Sequence, residues 1–381
     1  MKKLKEVCTI VAGQSPESKY YNTIGDGIPF FQGKADFGDL YPTVRVYCSQ
    51  PTKTAEKDDI LLSVRAPVGA TNLAPCKVCI GRGLTAIRPT NQIELKYLLY
   101  YFRFIEKPLQ QKGTGTTFKA ITQDVIKNLA IPVPPIEEQR RIVSRLEEMF
   151  SELDSAVETL QKTRQQLEIY RQAVLKEAFE GISECVTMYT VATMIDPQPS
   201  HRTPPVHQGG IPYIGIGDID YKNYSIIFSE ARKVNPNLLD EHKQRYSIDD
   251  GDFIMGKIGT IGKPFKLPLP QNYTLSANVI LIKPHIKIIN PDFLFWQFSS
   301  DWVTTQLMSG ATATSQPAFG IKKARLLRIK ICDYDAQIEI VNSINSKMSE
   351  CDNINKTVAK SLQQAEAMRQ SILKKAFEGE F

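Results

Sequence analysis

Apolar residues recur through residues 131–181 in steps of four and three, at Ile142, Leu146, Met149, Leu153, Ala156, Leu160, Leu167, Tyr170 and Val174, with Thr163 in the one vacant position. A repeat of about 3.5 residues lets two helices wrap around each other with a dry stripe between them. Pro132, Pro134 and Pro135 forbid helix before Ile136, because proline lacks an N–H and forces its predecessor into extended backbone. No proline or glycine follows until Gly181, which suits a C-terminal cap. The pattern predicts one helix, roughly 65 Å long at 1.5 Å per residue, and a rod of that length needs a partner.

The same chain supplies one. A shift of 198 positions lays residues 139–181 over 337–379 without a gap, with 19 identities in 43 positions. Lys176, Ala178, Phe179, Glu180 and Gly181 return as Lys374, Ala376, Phe377, Glu378 and Gly379. The seam returns as Ile340, Ile344, Cys351, Ile354, Val358, Ala365, Met368 and Ile372. Such a period is too long for a solenoid unit and marks a duplicated domain plus helix. Two units that pair through equivalent seams are simplest to relate by a pseudo-twofold axis, which makes the helices antiparallel and sends the globular parts to opposite ends.

Outside the helices, short apolar runs alternate with turn residues. Ile28-Pro29-Phe30-Phe31, Ile60-Leu61-Leu62-Ser63-Val64 and Leu84-Thr85-Ala86-Ile87 read as strands, punctuated by Asp58-Asp59 and Gly81-Arg82-Gly83. Residues 94–105 read as a helix with Tyr97, Leu98, Tyr101, Phe102 and Ile105 on one face. The plan then repeats: Gly210-Ile-Pro-Tyr213 echoes Gly27-Ile-Pro-Phe30, Asp252-Phe-Ile-Met255 echoes Asp59-Ile-Leu-Leu62, and Phe293-Leu-Phe-Trp296 echoes Tyr97-Leu-Leu-Tyr100. The framework is shared while the residues between its pieces differ, as expected of two homologous readers with different targets. The predicted architecture is α+β, with globular domains at 1–130 and 182–330 and long helices at 131–181 and 331–381.

Composition narrows the chemistry. Seven cysteines at irregular spacing, no signal peptide and no apolar run of about 18 residues predict a cytoplasmic protein with no membrane span. Cys76-Lys-Val-Cys79 is a lone pair without nearby histidines and reads as ordinary thiols, and His201, His207, His242 and His285 show no metal-ligand spacing. Tyr213-Ile-Gly-Ile-Gly217 resembles the F-x-G-x-G turn of adenine methyltransferases, but no N-P-P-[YF] or D-P-P-[YF] tetrapeptide follows, so it reads as a strand-end turn. No phosphate-binding P-loop string occurs. The expectation is a chain that is non-catalytic by itself and carries no cofactor or metal.

Charge points to a polyanion. Lys and Arg outnumber Asp and Glu by 18 to 11 over residues 1–130 and 16 to 12 over 182–330, whereas the helical segments carry 7 against 10 and 6 against 8. Basic globular parts and acidic rods fit domains that meet nucleic acid and helices that meet protein. Hydroxyl-rich loops supply candidate contacts at Thr114, Thr116, Thr117 and Lys119, and at Thr312, Thr314, Ser315, Gln316, Lys322 and Lys323. Hydroxyls, amides and bare N–H groups bond phosphate oxygens or base edges, while cations supply salt-dependent attraction. Arg45, Arg65 and Arg82, with Arg232, Lys257, Lys263 and Lys266, complete the candidate set.

The string Ile131-Pro-Val-Pro-Pro-Ile-Glu-Glu-Gln139, followed by a long helix that ends in Lys176-Glu-Ala-Phe-Glu-Gly181, resembles the specificity subunit of type I restriction-modification systems. The resemblance extends over the whole length. The second copy reads Cys332-Asp-Tyr-Asp-Ala-Gln337, in which only Gln337 survives, and predicts a less sharply defined helix start. The resemblance implies two target-recognition domains that each read half of a bipartite site in double-stranded DNA, with the antiparallel coiled-coil helices setting the spacing. It further implies two modification subunits docked on the chain, which use S-adenosylmethionine to methylate adenine, and restriction subunits that use ATP. A homodimer of the isolated chain, formed through bare docking faces, is compatible with this reading. Two other classes compete: an interaction protein that tethers two protein-binding modules, and an enzyme that transfers methyl groups within this chain.

Overall fold

The computed structural model describes residues 1–112, 120–311 and 318–380. The chain forms two compact units, one of Met1–Gln161 with Ala359–Phe381 and the other of Lys162–Val358, so each long helix contributes to both.

In the first unit, Cys8–Ala12, Leu84–Pro89, Ile60–Ser63 and Thr71–Leu73 form an antiparallel sheet in that spatial order. Its strand Ile60–Ser63 is buried on both sides: Ile60 and Leu62 enter one core and Leu61 the other. A strand covered on both faces needs an apolar residue at every step, hence the unbroken Ile60-Leu61-Leu62. The helix Leu95–Phe104 and parts of the long helices share the first of these cores. A mixed five-stranded sheet, in which Ile28–Phe31 runs parallel to Val78–Ile80, contributes to the second. Glu94 caps the helix, its carboxylate accepting the Tyr97 N–H at 2.7 Å.

The second unit is built alike. Ala192–Ile195, Val279–Pro284, Phe253–Gly256 and Pro264–Lys266 form the antiparallel sheet, and Phe253 and Met255 face one core while Ile254 faces the other. A carboxylate occupies the same corner in each sheet. Asp59 is 2% exposed and accepts Arg88 Nε and Nη2 at 2.8 Å each. Asp252 is similarly buried and accepts Lys283 Nζ at 2.5 Å.

The long helices span Ile136–Glu180 and Tyr334–Glu378, 45 residues each, and both of their ends are offset by the repeat of 198. The second helix therefore starts at the equivalent residue without prolines before it, which corrects the expected loose start. Gln139 and Gln337, both fully buried, explain why. Gln139 Oε1 accepts the Glu94 N–H at 2.8 Å, while its Nε2 donates to the Pro134 and Gln92 carbonyls at 2.8 and 3.0 Å. Gln337 makes the same three bonds, from the Asn290 N–H at 2.7 Å and to the Cys332 and Ile288 carbonyls at 2.9 and 3.3 Å. One amide thus satisfies the backbone of two converging segments and fixes where each long helix begins.

Within each unit the start of one long helix meets the end of the other, so the pairing is antiparallel. Ile142, Leu146 and Phe150 share a core with Ile372, Leu373 and Ala376 in the first unit, as Val174, Leu175 and Phe179 do with Val341, Ile344 and Met348 in the second. The duplicated Ala-Phe-Glu-Gly ending seats an aromatic anchor. Phe377 lies 5.2 and 5.3 Å from the rings of Tyr97 and Tyr101, and Phe179 lies 5.4 Å from Phe293.

The seam is partly shifted. Ile142, Leu146, Leu167, Val174, Ile344, Val358 and Ile372 are buried, and Met149, Leu153, Leu160 and Ile340 are half-buried. Tyr170, Ile354 and Met368 are corrected, because they are 47%, 45% and 57% exposed. The inward side chain falls one residue later, at Arg171, Asn355 and Arg369, as it does at Phe150 beside Met149. A helix of 3.6 residues per turn drifts from a 3.5 repeat. The arginines take these places because their stems pack inward while their heads reach Asp352, at 2.5 Å from Arg171, and Asp154, paired with Arg369. Each partner of one ion pair is offset by 198 from its counterpart in the other.

Candidate nucleic-acid interface

The first unit carries a groove of about 780 Å³ whose lining includes Ser15, Gln32, Lys34, Arg65 and Arg82. Arg82 stands at the tip of the turn between Val78–Ile80 and Leu84–Pro89. That turn is fixed by the Gly81 N–H donating to Phe31 O at 2.8 Å, the Leu84 N–H to Gly81 O at 3.0 Å, and the Arg82 N–H to Ser15 Oγ at 3.2 Å. Gly83 must be glycine, since a Cβ there would lie 2.2 Å from Gln32 O. Arg65 follows Ile60–Ser63 and pairs with Ala120 in an isolated antiparallel bridge, while the Ser63 hydroxyl donates to Arg65 O at 3.0 Å. Both arginine side chains are exposed and make no ion pair among the described residues. The groove's carboxylate, Asp36, is engaged by the backbone N–H groups of Gln32 and Gly33 at 2.8 and 3.4 Å. The groove therefore presents a surplus of unpaired donors over rigid backbone, which suits an acceptor-rich polyanion.

The structure brings Arg65 and Arg82 together and leaves Arg45 exposed beside Val46, another lining residue. The second unit offers less free charge. Lys257 is corrected: it is 8% exposed and paired with Asp196 at 2.7 Å, so it is consumed inside the domain. Lys266 pairs with Asp292 at 2.7 Å, Arg232 Nη1 donates to Pro204 O at 3.1 Å, and Lys323 Nζ donates to Gly310 O at 2.8 Å. Lys322 is exposed, and exposed Lys263 lies 4.1 Å from the centre of the Tyr221 ring. Thr114, Thr116, Thr117, Lys119, Thr312, Thr314, Ser315 and Gln316 lie outside the described residues.

Equivalent backbone positions in the two units carry unlike side chains. The Ile258–Ala318 bridge corresponds to the Arg65–Ala120 bridge, so Ile258 stands in the place of Arg65. The turn bond from Val279 N–H to Ser276 O corresponds to that from Leu84 to Gly81, so Ala277 stands in the place of Arg82. The first substitution follows from the echo of Asp59 in Asp252, each six residues earlier, but sequence reasoning missed the second, which becomes visible only when hydrogen bonds align the copies. It also missed Gln139 with Gln337, Asp154 with Asp352 and Arg171 with Arg369, whose signal was their identity across the repeat.

Burial pushes the Cys79 thiol up to about 12, Cys76 is exposed, and no group of three or more metal-ligating side chains occurs among the described residues. Gly215 and Gly217 belong to a strand-end turn closed by the Gly215 N–H donating to Asp218 at 2.7 Å, matching the contact of Gln32 with Asp36. Among the described residues no helix is long and apolar enough to cross a membrane.

Residues 1–168 match the profile of the family described as Type I restriction modification DNA specificity domain. The chain is 40% identical over 173 residues to the putative type I restriction enzyme MjaX specificity subunit of Methanocaldococcus jannaschii, covering 45% of this chain and 40% of that protein. It is 22% identical over 381 residues to the EcoKI specificity subunit of Escherichia coli strain K12, covering 91% and 80%. The chain thus spans less than half the length of the MjaX subunit that it matches and four-fifths of the EcoKI subunit. Among solved structures, the HsdS subunit of Thermoanaerobacter tengcongensis is 52% identical over 39% of this chain and 36% of that one, with a TM-score of 0.37.

Proposed function

We propose, for a chain that belongs to the family of type I restriction-modification specificity subunits, that it selects the DNA site at which partner subunits act. One recognition domain reads one half of a bipartite duplex site, and the other domain reads the second half. The observation that carries this reading is a single backbone frame built twice, with arginines at two exposed positions in one copy and Ile258 and Ala277 in the other. A duplicated frame with unlike contact residues is what two unlike half-sites require. The paired helices set the spacing and dock two modification subunits, with restriction subunits joining the complex.

Chemistry belongs to the partners in this account. S-adenosylmethionine and ATP are bound by them, and the target adenine is turned out of the duplex into a modification subunit. This chain contributes selective binding and positioning. Gel shifts with the full chain plus its modification subunit test the assignment: retention of a subset of duplexes with a steep salt dependence supports it. Absence of duplex binding by that assembly would favour a tether of protein-binding modules, and binding of S-adenosylmethionine by the chain alone would favour methyl transfer within it.

A further inference from the structure

We infer that Arg65 and Arg82 are specificity-determining residues that each read a guanine in the half-site of the first recognition domain. The inference rests on the DNA-reading function proposed above and deepens it. Guanine presents two adjacent acceptors, N7 and O6, in the major groove, and the planar guanidinium fork matches both. Arg65 and Arg82 line one groove, stand on hydrogen-bonded backbone and have no carboxylate partner among the described residues. Asp36, which could have competed for them, already accepts two backbone N–H groups. Their structural counterparts, Ile258 and Ala277, lack polar side-chain atoms and cannot make such a contact. Apolar side chains at those positions suit a thymine methyl instead, so these two backbone positions read guanine in the first half-site alone.

The test uses the full chain assembled with its modification subunit and a pool of duplexes randomised across both half-sites. The wild-type assembly is expected to select guanine at two positions of one half-site. Arg65→Ala should relax one of them and Arg82→Ala the other, each by roughly 5- to 150-fold in preference, with the second half-site unchanged. The unchanged half-site and an unaltered circular dichroism spectrum show that the variants fold. Arg82→Lys is a graded control: an ammonium also donates to guanine N7 and O6 but without a fixed fork, so the guanine preference should fall less than in Arg82→Ala while the salt dependence is kept. Equal weakening across all sequences with a shallower salt slope would assign the arginines to phosphates and overturn the inference while leaving the DNA-reading function intact. An assembly that selects no duplex would overturn both.

Discussion

Replacing Gln337 by methionine keeps the length of the side chain and removes both ends of its amide. Three backbone groups then lose their partner inside the protein: the Asn290 N–H and the carbonyls of Cys332 and Ile288. A buried polar group left without a partner costs about 1–3 kcal/mol, and the bond at 3.3 Å is the weakest of the three, so the total is about 3–5 kcal/mol. Asn290 also caps the helix Pro291–Phe298, which ties that cost to the seating of the recognition domain on its long helix. Both tryptophans of the chain, Trp296 and Trp302, lie in this unit, and Trp296 donates to Asn345 on the long helix at 2.9 Å. Urea unfolding followed by tryptophan fluorescence therefore reports on the clamp. With an m value of about 2 kcal/mol/M, the midpoint should fall by roughly 1.5–2.5 M. A fall below about 0.3 M would refute the reasoning, because it would mean that the three groups find other partners at little cost. Gln139→Met removes the matching bonds in the other unit, and faster amide exchange at Glu94 is its readout.

Three further outcomes are expected. Leu146→Ala and Ile344→Ala, at fully buried seam positions, should each cost about 2–5 kcal/mol in chemical unfolding, whereas Tyr170→Ala and Met368→Ala, at exposed ones, should stay within about 0.5 kcal/mol; equal effects would restore the unshifted heptad. Phe377→Ala should cost about 2–4 kcal/mol and speed amide exchange in Leu95–Phe104, since it empties the space between Tyr97, Tyr101 and Phe104; unchanged exchange there would contradict the anchor. His242 is 1% exposed, and burial, reinforced by Arg245, pushes its imidazole down to about 4 from 6.5. The depressed value means that its contribution is fully present above pH 6.5 and is lost as pH falls through 4, because the unfolded chain binds the proton first. The second unit should lose up to about 3 kcal/mol across that window, and His242→Gln should flatten the slope; a slope unchanged in that variant would place the titration elsewhere.

The parts of the fold that were legible in the sequence are those set by local rules. Pro132, Pro134 and Pro135 mark the start of the first helix, the gap-free repeat carries its end to the second, and the unbroken Ile60-Leu61-Leu62 marks a strand. The seam was misplaced by one residue at Tyr170 and Met368, because apolarity alone does not foresee an arginine whose stem packs inward and whose carboxylate partner sits on the other helix, and at Ile354, where polar Asn355 takes the inward place. Lys257 looked available on charge, but its partner Asp196 is 61 residues away in the chain. The roles of Gln139 and Gln337 were hidden for a related reason: they bind backbone groups, which every residue has and no side-chain pattern advertises. The pairing of Arg65 with Ile258 follows from the register of Asp59 with Asp252 and is matched by the bridges, whereas that of Arg82 with Ala277 came from aligned hydrogen bonds, because the offset between the copies changes along the way.

The central claim is that two copies of one frame read two different pieces of one duplex. Its most direct measurement is the sequencing of duplexes retained by the full chain with its modification subunit from a fully randomised pool. Two specified blocks separated by an unspecified gap of constant length are predicted, with changes at Arg65 or Arg82 altering one block and leaving the other intact. A single contiguous block, or changes in both blocks from a variant of one domain, would contradict the account.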